Sequence, residues 1–253
     1  MKTFHSIIDF KSTKQTIATL GTFDGVHLGH RSILNKIIAS KNNEELESLV
    51  LTFFPHPRMI LQQNSDIKLL NTIEEKASLL ENLGIDNLVI QKFDNDFSQL
   101  SAEDFVKKVL VDAFNIKKII IGYDHRFGKN RSADIHDLIQ FGEKYDFEVE
   151  QISAEEINDV SISSTKIRNA LKEGNIILAN EFLGYEYNLT GKVVKGKQLG
   201  RKIGYPTANV QVTEAYKLIP GEAVYAAFAI IDGQKHFGML SIGTNPTLGE
   251  NPV

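Results

Sequence analysis

The sequence predicts an α/β protein in which an open parallel sheet, covered by helices on both faces, is followed by a smaller antiparallel β-barrel. Three observations support this fold class. The length of 253 residues fits two domains of ordinary size. Short apolar runs rich in β-branched residues alternate with helix-period stretches through the first two thirds of the chain, which is typical of βαβ units. After residue 184, short strand-like runs are separated by Gly and Pro turns, with no long helix between them.

The parallel sheet is predicted from five apolar runs, at residues 16–20, 48–54, 87–91, 118–121 and 147–152. A helix should follow the first strand, where apolar residues recur at helical spacing at Ile33, Leu34, Ile37 and Ile38. Segments 72–75 and 101–104 resemble capping boxes, in which a hydroxyl and an acidic side chain satisfy free amides at a helix start. A further helix is expected over residues 134–145.

The pattern changes after residue 151, and the sequence predicts two domains, at 1–183 and 187–253. Short helices are expected at 164–171 and 176–182. The strands of the second domain are predicted at 192–194, 208–212, 224–231 and 236–240. Because short Gly or Pro turns join these strands, we expect them to pair antiparallel.

Composition excludes several classes of function. Lys and Arg number 28 against 32 Asp and Glu, a net charge of −4, which argues against nucleic acid or an anionic membrane as a partner. A phosphate-bearing ligand must therefore be held by a local basic cluster. The absence of Cys excludes disulfides and Cys-ligated metal sites. Residues 1–15 mix charged residues with apolar ones, so we expect a cytoplasmic protein.

The densest group of candidate functional residues is GTFDGVHLGH, residues 21–30, between the first strand and the first helix. Ligands of open α/β sheets bind at the carboxyl ends of strands, where a helix start offers N–H groups to a phosphate. His27 and His30 should point to the same side and donate to phosphate oxygens. Exposed or capping histidines are the alternative interpretation, and a zinc site would need more ligands. Neither the GxGxxG nor the P-loop pattern explains the segment.

Three further segments carry polar residues after a predicted strand or at a predicted helix start. They are TFFPHPR at 52–58, GYDHRFGK at 122–129 and ISSTKIR at 162–168. The first has prolines that stiffen a turn, the second has charged and aromatic groups in one loop, and the third has hydroxyls and a guanidinium suited to phosphate. The alternatives are, respectively, a strand-ending turn, a charged surface loop and a plain N-cap.

Together, these four segments resemble the bacterial FAD synthetases of the bifunctional riboflavin kinase/FMN adenylyltransferase family. HLGH at 27–30 is similar to the HxGH signature of the nucleotidyltransferase superfamily. That signature alone also fits pantetheine-phosphate, nicotinamide-mononucleotide and cytidylyl transferases, and the other three segments close most of that gap. The resemblance covers essentially the whole chain. It implies a Rossmann-like nucleotidyltransferase domain that transfers AMP from ATP to FMN, giving FAD and pyrophosphate, with Mg²⁺ as the metal.

The resemblance also implies which residues form the site. The catalytic residues would be His27, His30 and Arg168. The residues at ATP and its phosphates would be Gly21, Phe23, Asp24, Gly29, Ser163, Ser164 and Thr165. The residues at the flavin and nucleotide would be Pro55, His56, Pro57, Arg58, Asp124, Arg126 and Phe127. His125 is a departure, because the family pattern usually has Phe at that position.

The second domain resembles the flavokinase barrel, which phosphorylates riboflavin with ATP. The family's PTAN segment, here residues 206–209, holds Mg²⁺ and ATP, and it implies Thr207 and Asn209 as metal ligands suited to a hard cation. Residues 241–247 match another family segment. Ala223 and Leu248 depart from the family pattern, which has Gly and Phe at these positions.

The kinase reaction needs a base, because riboflavin attacks through a neutral alcohol. In the family this base is a Glu on a strand after the segment that corresponds to residues 241–247, and Glu250 lies in the connecting loop. We therefore expect an incomplete kinase domain, active only if the natural chain continues past residue 253. The other explanation is a natural adenylyltransferase with a vestigial barrel.

Two other functions remain open. The first alternative is another HxGH adenylyltransferase, and the second is a catalytically silent flavin-binding module. The expected partners are the small molecules ATP, FMN and riboflavin, with apoproteins that require flavin as recipients of FAD.

Overall fold

The computed structural model describes residues 1–41, 45–62, 65–153, 162–196, 198, 201 and 204–244. Contacts between Cα atoms divide the chain into two units, Met1–Ser163 and Ser164–Val253. The first domain predicted from the sequence ends at residue 183, some twenty residues after this boundary. The two short helices between the two positions belong to the second unit. The backbone N–H of Gly221, for example, donates to the carbonyl of Leu171 at 2.8 Å.

The first unit contains a parallel sheet of six strands. The strands are β1 (Lys2–Phe4), β2 (Gln15–Leu20), β3 (Leu46–Phe54), β4 (Asn87–Lys92), β5 (Ile116–Gly122) and β6 (Glu148–Ile152). Their order across the sheet is β1-β4-β3-β2-β5-β6, and every neighbouring pair is parallel. The five predicted strands and the parallel α/β fold are confirmed. Strand β1 was not predicted.

Helices connect these strands and cover the sheet. They are α1 (Leu28–Ala39), α2 (Pro57–Leu61), α3 (Ile73–Leu83), α4 (Asn95–Ser98), α5 (Ala102–Phe105) and α6 (Ile135–Tyr145). Helix α5 continues directly into a π-helix, Val106–Ala113. The central strands are buried on both faces, since Leu49 and Val50, whose side chains point to opposite faces, are both fully buried. This burial explains why these strands read as continuous apolar runs.

The predicted capping box at the start of α3 is confirmed. The N–H of Glu75 donates to Thr72 Oγ1 at 3.2 Å, and the N–H of Thr72 donates to Glu75 Oε2 at 2.9 Å. The box predicted at residues 101–104 is only half formed. Ser101 accepts from the N–H of Asp104, but the Asp104 carboxylate accepts from the Ser101 hydroxyl instead of the backbone.

The second unit begins with α7 (Ser164–Lys172) and α8 (Ile176–Leu183), which pack on each other. Its strands form two antiparallel pairs: β7 (Lys192–Val194) with β8 (Asn209–Gln211), and β9 (Ala223–Ile231) with β10 (Gln234–Ile242). This arrangement agrees with the predicted antiparallel architecture. Within the described ranges, no helix is both long and apolar enough to cross a membrane.

Removing the Thr72 hydroxyl should destabilise the first unit. In Thr72→Ala the Glu75 amide loses its acceptor, so we expect the free energy of unfolding to fall by about 1 kcal/mol, as for other N-caps. Chemical denaturation and hydrogen exchange of the Glu75 amide measure this loss. Thr72→Ser keeps the acceptor and is the control. An unchanged exchange rate in Thr72→Ala would contradict the capping role.

Candidate active site

Three of the four candidate segments start at the same edge of the parallel sheet. Strand β2 lies between β3 and β5 and is parallel to both. Segments 21–30, 55–58 and 122–129 lie at the carboxyl ends of these strands, and neighbouring strands of a sheet lie about 5 Å apart. The chain order reverses between β2 and β5, because β3 and β4 lie on one side of β2 and β5 and β6 on the other. Open α/β sheets bind ligands at such a point.

The segment after β2 has a strained backbone. The φ angle is 43° at Phe23, 89° at Gly25 and 37° at Val26. A positive φ is unfavourable for any side chain and most of all for a β-branched one such as Val26. Phe23 and Val26 are exposed by only 3% and 0%, and both pack in an apolar cluster with Leu34 and Val50. Phe23, predicted at the ATP site, therefore anchors the loop in the core.

The two glycines predicted at the ATP site let the chain pass closely over the sheet edge. The N–H of Gly21 donates to the carbonyl of Leu51 at 3.0 Å. A Cβ atom at Gly21 would lie 3.3 Å from the Phe23 ring. Gly29 is buried in the first turn of α1. A side chain at Gly21 would therefore compete for space with the Phe23 ring.

His27 and His30 stack on each other at the start of α1. Their ring centroids are 3.7 Å apart and the rings are inclined by 19°. His27 is the N-cap residue, and its Nδ1 accepts from the backbone N–H of His30 at 3.4 Å. Because Nδ1 accepts, the neutral imidazole of His27 has its proton on Nε2, which can donate to a ligand. The predicted pairing of the two histidines at a helix start is thus present.

The surroundings of His30 keep its imidazole uncharged. Burial lowers the pKa of His30 well below 6.5, and the positive charges of His27 and Lys76 lower it further. Within the described part of the chain, Nδ1 of His30 is buried without a hydrogen-bond partner. Most buried polar atoms are hydrogen-bonded, so an exception points to a functional role.

Two buried charged side chains support the loop from the side of α3. Oδ1 of Asp24 accepts from the N–H of Leu70 at 2.9 Å, and Asp24 is exposed by 1%. Nζ of Lys76 donates to the Thr22 carbonyl at 2.7 Å and to Thr52 Oγ1 at 3.4 Å. Burial lowers the pKa of Lys76 to about 8, and the negative charge of Asp24 opposes that shift. Asp24, predicted at the ATP site, therefore fixes the loop through its side chain.

The segment after β3 forms a tight turn into α2. The peptide bond between Phe54 and Pro55 is cis, and Pro57 opens the helix. His56 is buried, and its Nδ1 accepts from the N–H of Arg58 at 3.1 Å. Among the residues predicted here at the flavin and nucleotide, His56 is thus a helix cap, whereas the side chain of Arg58 is exposed.

The segment after β5 combines exposed charges with a buried ring. Asp124 and Arg126 are exposed, as a ligand-binding role requires. Phe127 is exposed by only 7%, and its ring centroid lies 6.0 Å from that of Phe105. Its backbone exchanges two hydrogen bonds of 3.1 Å with Ala133. Phe127 therefore anchors this loop, and its predicted contact with the flavin or nucleotide stays a prediction.

The fourth segment lies at the border between the two units. Ser163 is the last residue of the first unit, and Ser164 and Thr165 are the first two residues of α7. Ser163 and Thr165 are exposed, whereas Arg168 is exposed by only 9%. The predicted contact of these residues with the ATP phosphates stays a prediction.

The two residues predicted to bind Mg²⁺ in the kinase domain lie at the start of β8. Thr207 is exposed in the segment before this strand, and Asn209 is its first residue. The Asn209 amide lies over Gly196, where its Nδ2 would be 1.6 Å from a Cβ atom. Gly196 is therefore needed to leave room for this amide. Residues 245–248 and Glu250 lie outside the described residues.

Lys76 contacts the loop directly but was not among the residues predicted from the sequence. A signal was present, because Lys76 lies three residues after Ile73 and four before Leu80, on the apolar side of α3. A lysine at such a position is either misplaced or has a specific partner. Here its partner is the Thr22 carbonyl.

Comparisons with known proteins match both parts of the chain. A family model described as FAD synthetase matches residues 9–166, and one described as riboflavin kinase matches residues 183–253. A bifunctional riboflavin kinase/FMN adenylyltransferase from Listeria monocytogenes is 38% identical over 236 residues, which are 93% of this chain and 74% of that protein. The protein of the same description from Escherichia coli K12 is 35% identical over 233 residues, 92% of this chain and 74% of its own.

The chain belongs to the bifunctional riboflavin kinase/FMN adenylyltransferase family. The family predicted from the sequence is thereby confirmed. A crystal structure of a Streptococcus pneumoniae protein named macrolide-efflux protein has the same fold, with a TM-score of 0.85 and 29% identity over 96% of this chain and 79% of that chain. Its name differs from those of the enzyme relatives, whose higher identity, together with the two family models, decides the family.

One residue of this family member departs from the usual pattern in a way that should affect stability. His125 stacks on Phe127, with ring centroids 6.1 Å apart, and its Nε2 is buried without a hydrogen-bond partner among the described residues. Burial lowers the pKa of His125 to about 4, with Asp124 opposing this shift and Arg131 adding to it. The unfolded chain therefore takes up a proton near pH 6.5 that the folded protein takes up only near pH 4.

We expect His125→Phe to be more stable than the wild type by about 1 kcal/mol, because it removes a buried polar atom without a partner. As the pH falls from 6.5 to 4, the free energy of unfolding should also decrease less in this variant than in the wild type. Thermal unfolding followed at several pH values measures both effects. His136→Phe, at an exposed histidine of α6, is the control. A less stable His125→Phe would contradict this account of the loop.

Proposed function

We propose that the first domain transfers AMP from ATP to FMN, giving FAD and pyrophosphate. The observation that carries this proposal is the stacked pair of His27 and His30 at the switch point of the parallel sheet, 3.7 Å between ring centroids. Two imidazoles so close together cannot both be charged without cost. They are therefore suited to donate hydrogen bonds to an anion that brings its own negative charge.

The reaction requires positioning more than proton transfer. The phosphate of FMN has a second pKa near ~6, so its attacking oxygen is largely deprotonated at pH 7 and needs no general base. This oxygen forms a bond to the α-phosphorus of ATP, while the bond to the oxygen that bridges to pyrophosphate breaks. Negative charge develops on that bridging oxygen, and groups that stabilise it accelerate the reaction.

In this proposal the N–H groups of His27 and His30 stabilise the charge that develops on the phosphates. Arg168 holds phosphate oxygens through its guanidinium. The amides and hydroxyls at 163–165 bind the rest of the triphosphate, and Gly21 and Gly29 let it approach the backbone closely. Mg²⁺, when bound with the nucleotide, neutralises phosphate charge.

The flavin and the nucleotide base would lie against the segments after β3 and β5. Arg58, Asp124 and Arg126 are the exposed side chains of those segments and are proposed to contact the ligands directly. Pro55, His56, Pro57 and Phe127 would shape the walls, since His56 caps α2 and Phe127 packs in the core.

For the second domain we propose phosphorylation of riboflavin by ATP. The match of residues 183–253 to the riboflavin kinase family model supports it. The Thr207 hydroxyl and the Asn209 amide oxygen are hard donors two residues apart, and they fit Mg²⁺, which commonly takes few protein ligands alongside phosphates and waters. These two residues would hold the Mg²⁺ of the ATP complex.

We also propose that the protein acts in the cytoplasm, where ATP is available. We further propose that apoproteins that require flavin receive the product, FAD. These two points rest on the chemistry of the substrates and the product alone.

Incubation of the purified protein with ATP, Mg²⁺ and FMN tests the first reaction. Chromatography should detect FAD, with one pyrophosphate for each FAD formed. A parallel arm with nicotinamide mononucleotide should yield no dinucleotide, and an arm with riboflavin tests the kinase reaction. Absence of FAD would overturn the proposed adenylyl transfer to FMN. A dinucleotide formed from nicotinamide mononucleotide but not from FMN would favour a nicotinamide-mononucleotide adenylyltransferase.

We expect His30→Ala and Arg168→Ala each to lower the rate of FAD formation by about 10²- to 10³-fold, the usual cost of removing one donor to a developing charge. The reason is that each variant removes one donor to the phosphates while leaving the backbone of the site intact. Initial rates at saturating ATP and FMN measure the effect. His136→Ala, which removes an exposed histidine from α6, should keep the wild-type rate. Full activity in His30→Ala or Arg168→Ala would remove that residue from the mechanism.

A further inference from the structure

Lys76 is a buried ammonium whose two hydrogen bonds go to uncharged oxygens. It is exposed by 3%, and it donates to the Thr22 carbonyl at 2.7 Å and to Thr52 Oγ1 at 3.4 Å. Taking an ammonium out of water is unfavourable unless its surroundings compensate well. Here the compensation comes from these two neutral oxygens and from the negative charge of Asp24, which is itself buried. Lys76 therefore links α3 to the loop and to β3.

The oxygen that Lys76 binds belongs to the residue that opens the strained segment 22–26. The Thr22 carbonyl also accepts from Thr52 Oγ1 at 3.1 Å. One residue of β3 and one of α3 thus donate to the same oxygen. Three positive φ angles follow within four residues, at Phe23, Gly25 and Val26. Such a backbone persists only where its surroundings over-determine it.

The other end of the segment is also held. Arg31 Nε donates to the Val26 carbonyl at 3.2 Å, and Asp24 accepts from the N–H of Leu70, just before α3. Lys76 and Leu70 thus fix the loop to the α3 region, while Arg31 fixes it to α1. Because His27 follows Val26 directly, any movement of this loop moves the N-cap of α1 and both imidazoles with it.

Lys76 also acts on His30 through its charge. The pKa of His30 is lowered first by burial, then by His27, then by Lys76. Asp24 is the carboxylate whose charge acts on Lys76 itself. A positive charge next to the histidine pair therefore helps keep His30 in its neutral form until a phosphate binds.

We propose that Lys76 is a positioning residue for the adenylyl transfer, which holds the strained loop 22–26 and, through it, the stacked His27 and His30 in the geometry that receives the phosphates. This inference rests on the proposed function for its link to catalysis. Its physical part, the coupling of Lys76 to His30, can be measured without any turnover.

The first test uses Lys76→Met, which keeps the length of the side chain and removes its charge, with Lys108→Met on the surface as the control. Lys108 pairs with Asp104 at 2.8 Å and is well exposed. We expect the folded Lys76→Met variant to show a kcat for FAD formation about tenfold to a hundredfold lower, as for other misplaced reacting groups. Lys108→Met should keep the wild-type kcat. Wild-type kcat in Lys76→Met, or a loss of activity that only follows a loss of folded protein, would overturn the proposal.

The second test is an NMR titration of the histidine rings in the protein without substrates. In the wild type, the signals of neutral His30 should shift with a midpoint near the pKa of Lys76, about 8. In Lys76→Met this midpoint should vanish and the pKa of His30 itself should rise, because a nearby positive charge is gone. The proposal would be overturned if the wild-type His30 signal had no midpoint near 8 and the pKa of His30 were the same in Lys76→Met. This holds even if FAD formation is observed. If the variant does not fold, the wild-type titration alone decides. If no FAD is formed by the wild type, the proposed function fails, but this titration still reports on the coupling.

Discussion

The segment 22–26 connects the central strand of the sheet to the helix that carries both histidines, and the site depends on how this segment is held. It has three positive φ angles, two of them at residues other than Gly. The apolar cluster fixes Phe23 and Val26, while Asp24, Lys76 and Arg31 fix its polar groups. These contacts come from α1, β3 and the α3 region. Three elements of the first unit are therefore required to hold a segment of five residues.

The electrostatics of the site follow from the same packing. The protein has a net charge of −4, so a phosphate ligand gains nothing from the overall charge. The local donors compensate for this, since neutral imidazoles and helix-start amides bind anions without the cost of burying several positive charges. Lys76 is placed behind the loop, where it acts on the histidines and on the backbone. In the proposed mechanism, the groups that meet the phosphates are therefore separate from the group that positions them.

Much of the fold was predictable, because buried parallel strands leave continuous apolar runs in the sequence. Strand β1 was missed, since its three residues are largely exposed and join the sheet through backbone hydrogen bonds to β4. The histidine pair was predictable from its place after a strand. The spacing of Lys76 from Ile73 and Leu80 placed it on the apolar side of α3, but its partner, the Thr22 carbonyl, was not predictable because that contact depends on how α3 packs against the loop. The same holds for His56 and Phe127, whose burial depends on tertiary contacts that spacing does not encode.

We propose that the loop after β2 receives the phosphates of ATP through His27 and His30. The most direct measurement is a crystal structure of the protein with Mg²⁺ and an ATP analogue whose α-phosphate cannot be transferred. Our account predicts phosphate oxygens within hydrogen-bond distance of both imidazoles, with the backbone of residues 22–26 unchanged. A nucleotide bound elsewhere on the first unit, with neither imidazole in contact with it, would contradict the account.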